Sequence, residues 1–261
     1  MHDPARLVEQ LIETWASIDA LCGEIEDAEW ATPSGCPGWS VLDCLSHVVG
    51  VESELAGDPV PDAPVSVGDP PWVRDEFGRH MELAVWARRG RPAADVVGEF
   101  RVVVPRRIPA LRAVAAMAPD AEVSAVMGLA MSVGRFLQIR LFDCFLHEQD
   151  MRRATGRPGH LAGPAADQCV SFMARGVQRV VPERAELDGE AVEIQLTGGP
   201  VPSVVLGTPS GAAPAVATLS MGLATFLALG SGRVDADRAS VEIDGRRPVA
   251  EIVMDRMSIT P

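Results

Sequence analysis

An aspartate and a histidine one helical turn apart, inside a long apolar segment, limit what this chain can fold into more than any other feature. Asp143 and His147 are four residues apart, so on a helix they share one face. The positions around them are apolar: Phe136, Leu137, Ile139, Leu141, Phe142, Phe145 and Leu146. Burying ionisable groups there costs several kcal/mol unless they find a partner, a metal or water. The segment therefore predicts a core helix whose carboxylate and imidazole form either a structural pair or part of a metal site.

A second segment supplies another histidine. Ser40 and Asp43 have the spacing of a capping box, which predicts that a helix begins directly after Ser40. His47 lies beside the apolar face of that helix, between Cys44 and Val51. Taken alone, His47 is more typical of a hydrogen-bonded histidine at the edge of a core than of a metal ligand.

The two segments together resemble a known family. The motifs are the turn Cys36-Pro37-Gly38-Trp39-Ser40, the following helix with His47, and the pattern His-x-x-Asp-x-Arg-Arg-x-x-Gly-Arg-Pro from His147 to Pro158. They resemble the mycothiol-dependent maleylpyruvate isomerase family, which belongs to the DinB-like group of metal-binding four-helix bundles. The Gly-Ser-Gly-Arg run at 230–233 is similar to the C-terminal domain of that family, so the resemblance covers essentially the whole chain.

The resemblance implies a divalent metal ion, usually Zn2+, and assigns its ligands by position. They would be His47 from the second helix and Asp143 and His147 from the last helix of the bundle. One position departs from the family, because its isomerase branch has Glu where this chain has Asp143. Aspartate is one methylene shorter, so the metal would lie deeper or bind more weakly.

The resemblance also implies a reaction. Three protein ligands on zinc leave a fourth position open, which is typical of catalytic sites. In the family this position faces the low-molecular-weight thiol mycothiol, a cosubstrate that attacks an electrophilic small molecule as its thiolate. The chain would be a maleylpyruvate cis-trans isomerase or a mycothiol S-transferase. Arg233 is the candidate catalytic residue that holds the substrate carboxylates and the enolate, although its position equally suits an ordinary surface arginine.

Two other functions remain compatible with the residues. A related bundle enzyme with water on the metal would be a hydrolase, but no additional general base stands out, because Glu148 points away from the face of Asp143 and His147. A non-catalytic binding protein that has lost or weakened its metal site is the other alternative, and the aspartate at position 143 keeps it open.

Periodicity predicts an α+β fold, with a helical bundle over residues 1–160 followed by a small α/β domain over residues 161–261, and the resemblance implies that the bundle is a DinB-like four-helix bundle. In the bundle we expect helices from Pro4, after Ser40, over 72–89, over 93–117 with a break or kink at Pro105, and over about 127–155. A long crossover loop is expected at 57–71. In the second domain we expect helices at 165–181 and 215–229, strands at 192–196, 204–206 and 240–245, and a last helix from Pro248.

The net charge of the chain indicates which classes of binding partner to expect. The formal charge of −13 argues against nucleic acid and anionic membranes as binding partners. The first residues, Met1-His2-Asp3-Pro4, lack the basic start that is typical of a signal peptide, and no segment has about 18 uninterrupted apolar residues. The five cysteines form no CxxC motif, so we expect a cytoplasmic protein without disulfides. The expected partners are a thiol and a small electrophile, and the chain is expected to be a monomer or a homodimer.

Other polar residues receive plainer interpretations. Asp150 is predicted either to orient the imidazole of His147 or to pair with Arg153 or Arg140. Cys44 is close to the predicted ligands but is more typical of a small buried hydrophobic residue, as is Cys144, and no chemistry is assigned to Cys36. His80 is predicted to be exposed.

Overall fold

Long helices form the first part of the structure, a computed structural model that describes residues 3–62, 70–208 and 214–260. The chain divides into two units, the first ending at Pro158 and the second beginning at Gly159. The helices of the first unit are α1 (Pro4–Cys22), α2 (Val41–Leu55), α3 (Glu76–Trp86), α4 (Ala93–Ala115) and α5 (Val133–Ala154).

Four of these helices share one apolar core. Helix α1 packs against α4 and α5, α2 packs against the same two helices, and α3 lies on α2. The largest fully buried side chains of this core include Leu11, Trp15, Leu45, Phe100 and Leu141. Burial of such side chains is the main source of stability in a helical bundle, at about 1.5–3 kcal/mol for each large apolar side chain. The predicted bundle is therefore confirmed.

Helix α4 runs without interruption through two prolines. Pro105 was expected to break or kink the helix, yet both Pro105 and Pro109 lie inside Ala93–Ala115. Each proline removes one backbone donor from the helix interior. Val103 and Leu111, on either side of the prolines, are buried in the core, and we attribute the continuity of the helix to this packing. The predicted break is wrong.

The helix that carries Asp143 begins later than expected. A start near residue 127 is wrong, because β1 (Glu122–Ser124) and β2 (Ala130–Ser132) pair there as a short antiparallel hairpin. The chain reverses with Met127 at φ 57° and Gly128 at φ 68°. Ser132 then caps α5, its side chain accepting a hydrogen bond from the backbone N–H of Arg135 at 3.4 Å.

The second unit is a mixed sheet with helices. Its elements are α6 (Pro164–Arg184), β3 (Ala191–Thr197), β4 (Ser203–Gly207), β5 (Ala217–Gly222), α7 (Leu223–Gly230), β6 (Glu242–Gly245) and α8 (Arg247–Asp255). The strand order is β4-β3-β5-β6, with β3 and β5 parallel and the two edge strands antiparallel to their neighbours. The chain is thus an α+β protein, as predicted.

One predicted helix of this unit is wrong. The stretch 215–229 was expected to be a single buried helix, but its first half is β5 and only its second half is α7. In β5 buried side chains alternate with partly exposed ones, from Ala217 through Leu219 to Met221. A short apolar run of this kind cannot be assigned to strand or helix by periodicity alone.

Within the described residues, no helix combines the length and the low charge that crossing a bilayer requires. The crossover loop expected at 57–71 falls partly outside the described residues, at 63–69.

Candidate metal centre

The start of α2 fixes the position of His47. The side chain of Ser40 accepts a hydrogen bond from the backbone N–H of Asp43 at 3.2 Å, and the Asp43 carboxylate accepts one from the backbone N–H of Ser40 at 2.9 Å. This is the reciprocal capping box expected from the sequence. Arg89 also donates to the carboxylate of Asp43, at 3.2 Å. His47 therefore lies on a helix whose first turn is held by the capping box and by Arg89.

The three predicted metal ligands converge in the first unit. Asp143 Oδ1 lies 3.4 Å from His47 Nε2 and 3.7 Å from His147 Nε2, and the two imidazole rings meet edge to face with centroids 4.7 Å apart. Both histidines are buried, while 26% of the Asp143 side chain is exposed. The candidate ligand atoms all lie within 4.8 Å of one another, so the group can face one ion while one side remains open to solvent.

The spacing of these atoms fits a tetrahedral metal ion. Ligand bonds of about 2.0–2.1 Å place neighbouring N and O ligand atoms about 3.3 Å apart in a tetrahedron. The two Asp143–histidine distances, 3.4 and 3.7 Å, are close to this value. They exceed the usual length of about 2.7–2.9 Å for a charge-assisted N–H···O hydrogen bond. The donor set of two imidazoles and one carboxylate is one that Zn2+ accepts.

A buried arginine holds the other oxygen of Asp143. Arg140 Nη1 lies 3.1 Å from Asp143 Oδ2, and the same guanidinium donates to Glu52 Oε1 from Nε at 3.0 Å and from Nη2 at 2.7 Å. Burial disfavours the charged form of Asp143, but His47, Arg140 and His147 outweigh it and hold the pKa of this carboxyl well below its usual range. Asp143 is thus kept as a carboxylate, the form that binds metal.

Glu52 receives a second arginine. Arg107 Nε lies 2.9 Å from Glu52 Oε2, and Arg107 Nη1 donates to the carbonyl of Leu55 at 2.9 Å. Glu52 is fully buried, and both arginines are nearly so. Sequence reasoning missed this network, because its members lie on α2, α4 and α5 and show no local motif.

The far nitrogen of His147 faces a carboxylate. His147 Nδ1 lies 3.2 Å from Asp150 Oδ2, and Asp150 Oδ1 accepts a hydrogen bond from Arg153 at 2.8 Å. Burial lowers the pKa of His147, but the contacts with Asp150 and Cys36 and the charge of Asp143 raise it to about 10. Metal-binding histidines commonly make this kind of contact, which fixes the ring and its tautomer. Of the partners expected for Asp150, His147 and Arg153 are found, whereas Arg140 pairs with Glu52 and Asp143.

His47 is held differently. Its Nδ1 is buried without a hydrogen-bond partner among the described residues. Burial lowers the pKa of His47 despite the neighbouring Asp143 carboxylate. The indole of Trp39 lies over both imidazoles, with ring centroids 5.1 Å from His47 and 5.6 Å from His147. His47 is therefore held by contact with the ring of Trp39, whereas His147 is held by the carboxylate of Asp150.

The position of Trp39 depends on a buried glutamate. Glu82 Oε1 accepts a hydrogen bond from the indole N–H of Trp39 at 2.6 Å and another from that of Trp72 at 2.7 Å. Gly38 allows this arrangement, because its φ is +71° and a Cβ there would lie 2.2 Å from the Trp72 ring. The turn before α2 thus places the ring of Trp39 against both histidines.

Two cysteines adjoin the far side of His147. Cys36 Sγ lies 3.0 Å from Asp150 Oδ2 and 3.9 Å from His147 Nδ1, and Cys44 Sγ belongs to the same group. The hydrogen bond with Cys44 and burial raise the pKa of Cys36. No chemistry was expected of Cys36, and its partner Asp150 is 114 residues away, so no local pattern indicated the contact. Cys144, by contrast, lies beside Arg140 and Glu52.

The other predicted residues fall elsewhere. Arg233 belongs to the second unit, where it follows α7 and its Nη1 donates to the carbonyl of Ser231 at 2.9 Å. His80 was expected to be exposed, which is wrong: its Nε2 lies 2.7 Å from Glu54 Oε2, and only 16% of its side chain is exposed. A cavity of about 570 Å³ lies beside this pair, lined by α2, α3, α4 and residues 58–61, and none of the three predicted ligands lines it.

A family model and two solved structures that resemble this chain all carry the name of one enzyme, mycothiol-dependent maleylpyruvate isomerase. A family model described as the mycothiol maleylpyruvate isomerase N-terminal domain matches residues 11–152. A crystal structure of a mycothiol-dependent maleylpyruvate isomerase superposes with a TM-score of 0.63 at 15% identity, covering 95% of both chains. A histidine-to-alanine mutant of a mycothiol-dependent maleylpyruvate isomerase gives a TM-score of 0.58 at 14% identity, covering 93% of both chains. No curated protein sequence matches significantly.

Proposed function

This chain belongs to the mycothiol maleylpyruvate isomerase family, and we propose that it binds one divalent metal ion, Zn2+ in the first instance, through His47, Asp143 and His147. With that ion it activates mycothiol for attack on an electrophilic small molecule. The reaction is either the cis-trans isomerisation of maleylpyruvate or a related S-transfer.

One observation carries the proposal. Two imidazole nitrogens lie 3.4 and 3.7 Å from a single carboxylate oxygen, at the spacing of ligands around a tetrahedral ion. A purely structural pair would more often close to a direct hydrogen bond. The same observation disfavours a binding protein without metal, because the shorter aspartate already brings its oxygen to both rings.

The chain's own residues prepare the site. A bound divalent cation would act as a Lewis acid that favours the thiolate over the thiol. Asp150 positions the ring of His147, and Arg140 holds the outer oxygen of Asp143. The ring of Trp39 packs against both imidazoles. The exposed side of Asp143 is the direction from which a thiol can approach.

For maleylpyruvate, the thiolate would add to the cis double bond, and the electron pair would move into an enolate. Rotation about the new single bond and expulsion of the thiolate would give the trans isomer and regenerate the cosubstrate. Arg233 is proposed to hold the substrate carboxylates and the enolate. For S-transfer the first addition is the same, and the adduct would be protonated and released.

A hydrolase is less well supported. It would need a general base beside the metal site, and Glu148 is the acidic residue next to His147 in sequence. Its carboxylate instead accepts hydrogen bonds from Ser17 at 2.6 Å and from Arg152 at 2.7 Å. Glu148 is therefore engaged with α1 and with the end of α5.

The first test is the metal content of the purified, untagged protein, measured by elemental analysis for the wild type, His47→Ala, His147→Ala and His80→Ala. We expect about one ion per chain in the wild type and in His80→Ala, and none in the other two. His80 is the matched control, because it is a partly buried histidine of the same unit outside the candidate group. Full occupancy in His147→Ala would show that the site is wrong.

The second test is thiol-dependent turnover. Maleylpyruvate and other electrophiles are offered with mycothiol to the metal-loaded protein, with and without the thiol. We expect turnover only with thiol and metal together, and its loss in Arg233→Met with metal content unchanged. Turnover without thiol would favour the hydrolase, and no turnover of any electrophile would favour a binding protein.

A further inference from the structure

A second group of metal-binding side chains lies on the far side of His147. It consists of Cys36, Cys44, Asp150 and His147, all of them buried. One ligand atom from each of the four lies within 4.8 Å of all the others. Only His147 is shared with the candidate centre, which it faces with its other ring nitrogen.

We propose that Cys36, Cys44, Asp150 and Nδ1 of His147 form a second metal site, which takes a soft divalent cation such as Cd2+ as an alternative to the centre formed by His47, Asp143 and His147.

The measured distances agree with tetrahedral coordination. Bonds of about 2.3 Å to sulfur and about 2.0–2.1 Å to nitrogen or oxygen place ligand atoms about 3.3–3.8 Å apart. In the structure Asp150 Oδ2 lies 3.2 Å from His147 Nδ1 and 3.0 Å from Cys36 Sγ, and Cys36 Sγ lies 3.9 Å from His147 Nδ1. Cys44 Sγ lies within 4.8 Å of each of the other three ligand atoms.

The donor set selects the cation. Two thiolates favour soft ions, whereas the candidate centre offers only nitrogen and oxygen. Binding displaces the two thiol protons to solvent. The two thiolates then offset the double positive charge of the ion, and the carboxylate and the imidazole complete the set of four ligands. Cd2+ therefore favours the cysteine site more strongly than Zn2+ does.

The backbone supports the two cysteines. The backbone N–H of Cys36 lies 3.3 Å from Ser34 Oγ, and its carbonyl accepts a hydrogen bond from the backbone N–H of Trp39 at 3.0 Å. Cys44 lies in the first turn of α2, where its backbone N–H donates to Ser40 at 3.1 Å. The turn and the helix thus bring both sulfurs to His147 before any ion arrives.

Sharing His147 makes the two sites exclusive. A neutral imidazole has one N–H and one lone pair. When Nδ1 carries the proton, Nε2 is free for the candidate centre, and when Nε2 carries it, Nδ1 is free for the cysteine site. One chain therefore binds one ion at a time, and the tautomer of His147 corresponds to the site that is filled.

The test is a titration of the full-length, metal-free protein with Cd2+ in anaerobic buffer containing a phosphine reductant. Sulfur-to-cadmium charge transfer absorbs in the ultraviolet, so the absorption reports thiolate ligation independently of any enzyme activity. The variants are Cys36→Ser, Cys44→Ser and His47→Ala, with Cys144→Ser as the matched control. Cys144 is also a buried cysteine of this unit but lies outside the group. Circular dichroism identifies variants that are folded.

We expect the wild type, His47→Ala and Cys144→Ser to develop the absorption and to saturate at one Cd2+ per chain. Cys36→Ser and Cys44→Ser should lose most of the absorption, and either one alone is sufficient if the other does not fold. No absorption in the wild type would overturn the site. Saturation at two Cd2+ per chain would overturn the sharing of His147.

Discussion

Arg140 and Asp143 make a one-sided contact: Nη1 of the arginine lies 3.1 Å from Oδ2 of the aspartate, and the other oxygen, Oδ1, faces both histidines. The carboxylate therefore cannot rotate without losing a buried charged partner. This contact sets which oxygen is available to a metal, and it compensates for the single-methylene reach of aspartate.

Replacing Arg140 should affect both stability and metal binding. In Arg140→Gln the buried Glu52 keeps only Arg107, and Asp143 loses the group that orients it. We expect a loss of about 3–5 kcal/mol in the free energy of unfolding and a drop of about 10- to 100-fold in metal affinity. Denaturant unfolding of the metal-free protein and titration against a chelator measure the two effects.

The matched control is Arg107→Gln. Arg107 also pairs with Glu52, but it donates its other hydrogen bond to the carbonyl of Leu55 and not to Asp143. This variant should lose comparable stability and keep its metal affinity within about threefold, since it leaves the ligands in place. Equal losses of metal affinity in both variants would show that Arg140 acts only through folding.

Lengthening the aspartate should be tolerated. Asp143→Glu restores the residue of the family's isomerase branch, and we expect metal occupancy to be retained or improved. Asp143→Asn keeps the shape but removes the negative charge, so its occupancy should fall, by elemental analysis after equal dialysis. Loss of metal in the glutamate variant would indicate a cavity built around aspartate.

Metal binding should release a proton. The pKa of His147 is raised to about 10, so its ring is protonated near pH 8 and must lose that proton before Nε2 can bind an ion. Apparent affinity should therefore rise with pH, about tenfold per unit between about pH 7 and 9. Calorimetry in buffers of different ionisation enthalpy measures the release.

Asp150→Asn provides the comparison for this proton. It weakens the hydrogen bond that, after burial, contributes most to the pKa of His147. The pKa should fall, and fewer protons should be released near pH 8. An unchanged release would mean that the proton comes from another group.

Trp39 should report metal binding. Its ring lies 5.1 and 5.6 Å from the two imidazole centroids, so Co2+ at the candidate centre should quench its fluorescence. Trp39→Phe should remove most of the quenching. Trp72→Phe is the control, because Trp72 shares Glu82 but no ring contact of Trp72 with either histidine is found among the described residues. Quenching that survives in Trp39→Phe would place the ion elsewhere.

The sequence identified the helices that carry the candidate ligands because their signals are local. A capping box at Ser40 and the four-residue spacing of Asp143 and His147 depend only on helix geometry. That His47 would meet them was implied by the family resemblance alone, since 96 residues separate it from Asp143.

Tertiary packing decided what the sequence could not show. Arg140 meets Glu52 across 88 residues, and no spacing rule connects them. Strand β5 was mistaken for helix because its alternation is short and runs directly into α7. Packing beside the parallel strand β3 settles that assignment, and the pairing partner lies outside any local window.

The capping box on α2 also fixes how many residues can separate Ser40 from His47. Each residue of a helix turns the next by about 100°, so one insertion between Ser40 and His47 would swing the imidazole away from α5. Asp143 and His147 share a helix and would turn together. A substitution on α2 leaves the direction of His47 unchanged. An insertion or deletion between Ser40 and His47 would instead separate His47 from Asp143 and His147.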